Sequence, residues 1–121
     1  MHERRAEARF LCADLVAVEW QDASGKTQRI EAILEDISPS GACLQCDRSI
    51  PPETALHVLH PAGRLDGAVK YCLYRDIGYF IGMAFDPGHG WSASDFSPDH
   101  LLDLSQLMER GIDRSRRRKP N

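Results

Sequence analysis

Six short runs of alternating apolar and polar residues, each closed by a turn or by prolines, constrain this chain more than any other feature. They fall at residues 14–20, 27–35, 42–46, 55–60, 65–75 and 79–85. In the first, Val16, Val18 and Trp20 share one face and Glu19 takes the other, the period of two expected of a half-buried strand. The second places Ile30, Ala32 and Leu34 inward, with Ile33 inward as the alternative register. In the third, Ala42, Leu44 and Cys46 alternate with Cys43 and Gln45. The fifth sets Val69, Tyr71 and Leu73 on one face and Lys70, Cys72 and Tyr74 on the other. Asp22-Ala23-Ser24-Gly25 and Asp76-Ile77-Gly78 supply turn chemistry, and Pro51-Pro52 and Pro61 cannot donate to a ladder. Short strands in this number, joined by turns, predict a closed antiparallel barrel, because closure removes exposed sheet edges.

Beyond the sixth run, residues 86–90 read as a linker, since Gly88-x-Gly90 lacks the strand-to-helix setting of a phosphate loop. Ser97 as N-cap, Pro98 at the first helical position and Asp99 near the helix dipole predict a helix start. Leu101, Leu104 and Met108, with Leu107 and Leu102 beside them, give an apolar stripe that ends near Gly111. The expectation is therefore a mainly all-β chain: a six-stranded antiparallel barrel with a C-terminal α-helix packed over one opening and Trp91 and Phe96 anchoring the connection. The division is an arginine-bearing segment at 1–13, a barrel at 14–86, a linker and helix at 87–111, and a disordered basic tail at 112–121.

Composition sets the outer limits. A chain of 121 residues makes one domain that can bury a core without staples, and 42% hydrophobic with 27% charged residues is an ordinary globular balance. No run approaches the length of a membrane-spanning helix and the N-terminus is charged rather than apolar, so the expected location is the cytoplasm. A net charge of −3 marks no general nucleic-acid binder. Cys43-x-x-Cys46 invites a zinc or redox reading, but an odd spacing on a strand points the two thiols to opposite faces. No second paired motif supplies further ligands, so neither a metal nor a cofactor is expected, and the four cysteines read as thiols of a reduced compartment. Histidines are scattered, and no Ser, Cys or carboxylate stands in a nucleophilic or acid–base context, so no enzyme is expected.

The residues that packing does not demand lie between the second and third runs. Asp36 and Ser38, two apart on extended backbone, present their side chains to the same side. Pro39 biases Ser38 towards extended geometry, and Gly41 permits a positive φ or a close approach that a Cβ would block. On their own these residues also fit an Asx- or Ser-turn that satisfies its own backbone. At the N-terminus Arg4, Arg5 and Arg9 precede the first run. Their planar donor forks suit phosphate oxygens and the O6/N7 edge of guanine, although Glu3, Arg4, Glu7 and Arg9 also fit an exposed mixed-charge turn.

Arg5-x-x-x-Arg9 followed by Asp36-x-Ser38-x-x-Gly41 resembles the paired signature of the PilZ domain family, whose members are receptors for cyclic di-GMP. The segment from Gly78 to Phe85 is similar to the family's last barrel strand, so the resemblance covers most of the chain. It implies a barrel of PilZ type in which Arg5 and Arg9 clamp phosphate and engage guanine, with Arg4 as an auxiliary. Asp36 and Ser38 would make polar contacts to the ligand and Gly41 would keep the turn compact. Arginines ordered by the ligand would relay the signal to a downstream protein partner. Two alternatives remain at this point: a PilZ-like interaction module that binds no nucleotide, and a small barrel binding single-stranded nucleic acid, against which few aromatics and an acidic balance weigh. The oligomeric state is left open.

Overall fold

The computed structural model describes residues 7–92, 94, 96–98 and 102–103. The strands are β1 (Phe10–Gln21), β2 (Thr27–Ser38), β3 (Gly41–Cys46), β4 (Ala55–His60), β5 (Gly63–Arg75), β6 (Gly78–Phe85) and a two-residue β7 (Leu102–Asp103). Antiparallel pairing runs β1–β2–β3–β6–β5–β4, and β4 returns to β1 through Ala17, Val18 and Glu19, closing a six-stranded barrel. The expected inner faces of the first three strands hold. Val16, Val18, Trp20, Ala32, Leu34, Ala42, Leu44 and Cys46 are all buried, and each large apolar side chain so placed is worth about 1.5–3 kcal/mol relative to exposure. Cys43 and Cys46 lie on opposite faces of β3. Burial of Cys12 pushes its thiol up to about 12.

Two bulges give β2 and β5 faces that strict alternation does not foresee. On β2, Leu34 pairs with Leu44 and Asp36 with Cys43, so Glu35 is the extra residue. The strand therefore continues past Glu35 to Ser38, with Leu34 and Ile37 both fully buried at a spacing of three. Asp36 and Ser38 are turned to the outer face. On β5, Val69 pairs with Met83 and Tyr71 with Gly82, which makes Lys70 the extra residue. This corrects the expected grouping of Tyr71 and Leu73 with Val69: Val69 is buried, whereas Tyr71 and Leu73 are 44% and 45% exposed and Cys72 packs against the core.

The two mouths are closed differently. At the end holding the β2–β3 turn, the Trp91 ring is buried and meets Phe10 edge-on at 5.8 Å. Its indole N–H donates to the Phe96 carbonyl at 2.7 Å and its backbone N–H to the Pro39 carbonyl at 3.0 Å. Gly90 has a reason beyond a linker, since a Cβ there would stand 2.5 Å from the Pro39 oxygen. The anchoring expected of Trp91 and Phe96 is what the contacts give. At the other mouth Ile50, from the β3–β4 loop, is fully buried.

Among the described residues there is no helix. Leu102 and Asp103, which the apolar stripe assigns to a helix, instead pair with Leu11 and Phe10 as β7, so a helix does not run through them. Backbone pairing to β1 outweighs the local stripe there. The rest of the expected helix and the basic tail at 112–121 lie outside the described residues. No helix among the described residues is long and apolar enough to cross a membrane.

Candidate functional site

The outer wall over β2, β3, β6 and β5 carries a ladder of directly paired residues: Asp36 opposite Cys43, Cys43 opposite Gly82, and Gly82 opposite Tyr71. One step along, Ser38 pairs with Gly41 and Gly41 with Ala84. The small residues in these rows leave the wall low in the middle, and the result is an open cleft of about 340 Å³. Arg9, Asp36, Ser38 and Gly41 line it together with Lys70 and Tyr71.

Each lining residue has a local cause. The Glu35 bulge turns Asp36 and Ser38 outward, and the Lys70 bulge does the same for Tyr71. Gly82 is the floor under the tyrosine ring, because a Cβ there would sit 2.2 Å from a ring carbon. Gly41 is needed for close approach and not for a positive φ: its Cβ would fall 2.5 Å from the Met83 carbonyl oxygen of the neighbouring strand. Arg9 stands just before β1, whose register with β2 places Phe10 opposite Ile37 and Leu11 opposite Asp36.

The guanidinium of Arg9 donates to the Asp36 carboxylate at 3.1 Å, the arginine side chain being 55% exposed and the aspartate 15%. An ion pair this open is worth about 0–1 kcal/mol to the fold, so the pairing leaves the arginine fork available to a stronger acceptor. Burial pushes the Cys43 thiol up, and the Asp36 charge adds to it. Burial likewise raises the neighbouring Tyr71 phenol, with Cys43 contributing. Both groups are neutral near pH 7 and serve as polarizable surface. The cleft thus combines a guanidinium, an ammonium on Lys70, a carboxylate acceptor and an aromatic face, a set that can hold an anion and an adjoining planar, N–H-rich ring.

Of the residues expected from the sequence, Arg9, Asp36, Ser38 and Gly41 converge on this cleft, and Arg4 and Arg5 lie outside the described residues. The Ser38 hydroxyl donates to the Gly41 carbonyl at 3.3 Å, so in this state it also ties its own turn. Sequence reasoning missed four contributors. Tyr71 and Lys70 were hidden by the bulge at Lys70 itself, and Gly82 by lying within an ordinary strand. Ser40 donates to the Glu7 carboxylate at 2.7 Å, joining the N-terminal segment to the turn across 33 positions. Only the Glu7–Arg9 neighbourhood could have hinted at that contact.

A larger cleft, of about 620 Å³, lies elsewhere on the barrel beside Glu19, Asp22, Thr54, His57 and Arg64. Its charges are already matched. Arg29 pairs with Glu19 at 3.2 Å, His57 and Arg64 both reach Asp66 at 2.6 and 3.0 Å, and Asp22 accepts from Ser24, Lys26 and Gln28. Volume favours this second cleft, but donor chemistry favours the first, and the chemistry decides what can be recognised.

Fold and site together define a small antiparallel barrel with a polar, arginine-bearing cleft on its outer wall. Comparison with known proteins returned no matching family model, no matching curated protein and no matching solved structure.

Proposed function

We propose that this protein is a non-enzymatic receptor for cyclic di-GMP, which it binds in the cleft between Arg9 and the β2–β3 turn. One observation carries the reading: Arg9 and Asp36, 27 positions apart, meet at 3.1 Å beside Ser38 and Gly41 in one open cleft. Together with Arg5, which lies outside the described residues, those are the residues whose spacing resembles the PilZ signature. The ligand offers two phosphates and two guanines. Arg9 would exchange its exposed bond to Asp36 for a phosphate or the guanine O6/N7 edge, and Asp36, once released, would accept from guanine N–H groups. Lys70 adds a point charge at the rim. Arg5 and Arg4 would complete the clamp from the segment that precedes Glu7, and their engagement would relay occupancy to a downstream protein partner.

The direct test is calorimetric titration with cyclic di-GMP, GTP and a short single-stranded oligonucleotide in parallel. Cyclic di-GMP should bind and the other two should not. Absence of heat and of displacement up to about a millimolar, equivalent to a binding free energy near −4 kcal/mol, would remove the receptor reading and leave an interaction module. Preference for the oligonucleotide would instead favour a nucleic-acid barrel.

A further inference from the structure

The barrel closes along most of its circumference, but β5 outruns its neighbour on one side. Pairing with β4 ends at Ala68 opposite Ala55, and the last backbone bonds on that side join Val69 to Glu53 and Thr54. The loop before Glu53 carries Ile50 into the core and brings the Ser49 hydroxyl 3.8 Å from the Cys72 thiol, whereas β5 continues against β6 as far as Arg75 opposite Gly78. Residues 71–75 are therefore a sheet edge, whose backbone on the side away from β6 has no partner among the described residues. Of the five exposed large apolar side chains among the described residues, four lie here, on Tyr71, Leu73, Tyr74 and the adjoining Ile77. An unpaired edge dressed with apolar groups is a template for another strand.

Which groups face outward along that edge follows from alternation. Val69 directs its N–H and C=O to the β4 side. After the Lys70 bulge, Cys72 and Tyr74 take the side-chain face that Val69 had, so their N–H and C=O point the same way, while Leu73 and Arg75 bond to β6. A second β5 docking antiparallel about a two-fold axis at Leu73 would put Cys72 opposite the partner's Tyr74, the pair that exchanges both backbone bonds, and would do so twice. The same register sets Tyr71 opposite the partner's Arg75 and Leu73 opposite its own copy, and just beyond the ladder it brings Lys70, at the bulge, towards the partner's Asp76, in the β5–β6 turn. Every charge at the edge then meets an opposite charge or an aromatic face. Centring the axis on Cys72 or Tyr74 loses this, because Lys70 would face Tyr74 or Gly78.

We infer that the occupant of this edge is a second copy of the chain, joined through β5 in an isologous antiparallel pair centred on Leu73. Self-complementarity of charge in one register, and in that register only, selects a second copy over an unrelated strand. The inference stands apart from the ligand reading. It does place Tyr71, which lines the cleft, at the seam between the two copies.

Analytical ultracentrifugation of the full chain over a wide concentration range tests it. The wild type should pass from monomer to dimer with concentration. Leu73→Lys, at an exposed position that the barrel does not need, should weaken the dimer by at least about tenfold by setting like charges face to face. Lys70→Asp and Asp76→Lys should each weaken it, and the two together should restore it. Tyr74→Pro removes an N–H that β6 does not use and should also give a monomer. If that variant does not fold, the charge exchange decides alone. A wild type that stays monomeric throughout, or a dimer indifferent to Leu73→Lys and to the charge reversals, would overturn the inference. Slow amide exchange at Cys72 and Tyr74 that does not depend on protein concentration would overturn it too, by showing the edge covered from within the chain.

Discussion

Two outer faces of one barrel carry similar groups and use them differently. Over β1, β4 and β5 the charges form a closed set, with Glu19 held by Arg29, and Asp66 held by both His57 and Arg64. Over β2, β3, β6 and β5 a mostly exposed arginine meets one aspartate beside a wall lowered by Gly41 and Gly82. Here bulges at Glu35 and Lys70 re-aim side chains, whereas the β1–β4 and β4–β5 ladders run in unbroken register. A regular ladder lets opposite charges neutralise one another across strands. A bulged wall breaks that matching and leaves donors facing solvent.

The sharpest way to break the comparison is Gly41→Ala, where the added methyl meets the Met83 carbonyl and the strands must part. A loss of about 1–3 kcal/mol is expected from overpacking, together with weaker cyclic di-GMP binding. Unchanged stability by chemical denaturation would mean that the close approach is not required.

A paired experiment then separates the faces. Arg9→Ala should weaken cyclic di-GMP binding by more than tenfold, since a charge-assisted contact is worth roughly 1.5–3 kcal/mol, and should leave the melting temperature nearly unmoved. Arg9→Lys should recover only part of the affinity, because lysine keeps the charge and loses the fork. His57→Ala on the other face should do the reverse, shifting stability by less than about 1 kcal/mol and sparing affinity. Equal effects of the two alanine variants on binding would erase the distinction.

The smallest effect is a difference in sign with pH. Burial would raise the pKa of Asp66, but the His57 hydrogen bond and the Arg64 charge hold it below its ordinary value of 3.8. Its contribution to stability is thus present above pH 3.8 and lost as the pH falls through the folded value. Burial, with Asp36 adding to it, raises Glu35 above 4.5. That contribution is fully present below pH 4.5 and is lost as the pH rises through the folded value. Asp66→Asn should flatten the acid-side slope of stability, and Glu35→Gln should flatten the slope just above pH 4.5. The same slope in both variants as in the wild type would contradict the two assignments.

What the sequence determined by itself was the barrel and half of its lining. Alternation in residues 16–20 and 42–46 dictates which side chains are buried, because a strand's period of two puts alternate residues on one face, and in residues 30–34 it leaves two registers, of which the structure takes the one with Ala32 and Leu34 inward. The spacing of Asp36 and Ser38 likewise requires that they share a face, and Cys43 and Cys46 that they do not. Tertiary structure decided wherever one residue was added to a ladder. No local pattern announces that Glu35 or Lys70 is the extra residue, since a bulge is set by the strand opposite, and so Tyr71 and Leu73 face outward against their own alternation. It also decided the pairing of Leu102 and Asp103 with β1 in place of a helix. The meeting of Arg9 with Asp36 belongs to the same class: the sequence carries both groups, and only closure of β1 onto β2 brings a guanidinium to a carboxylate 27 positions away.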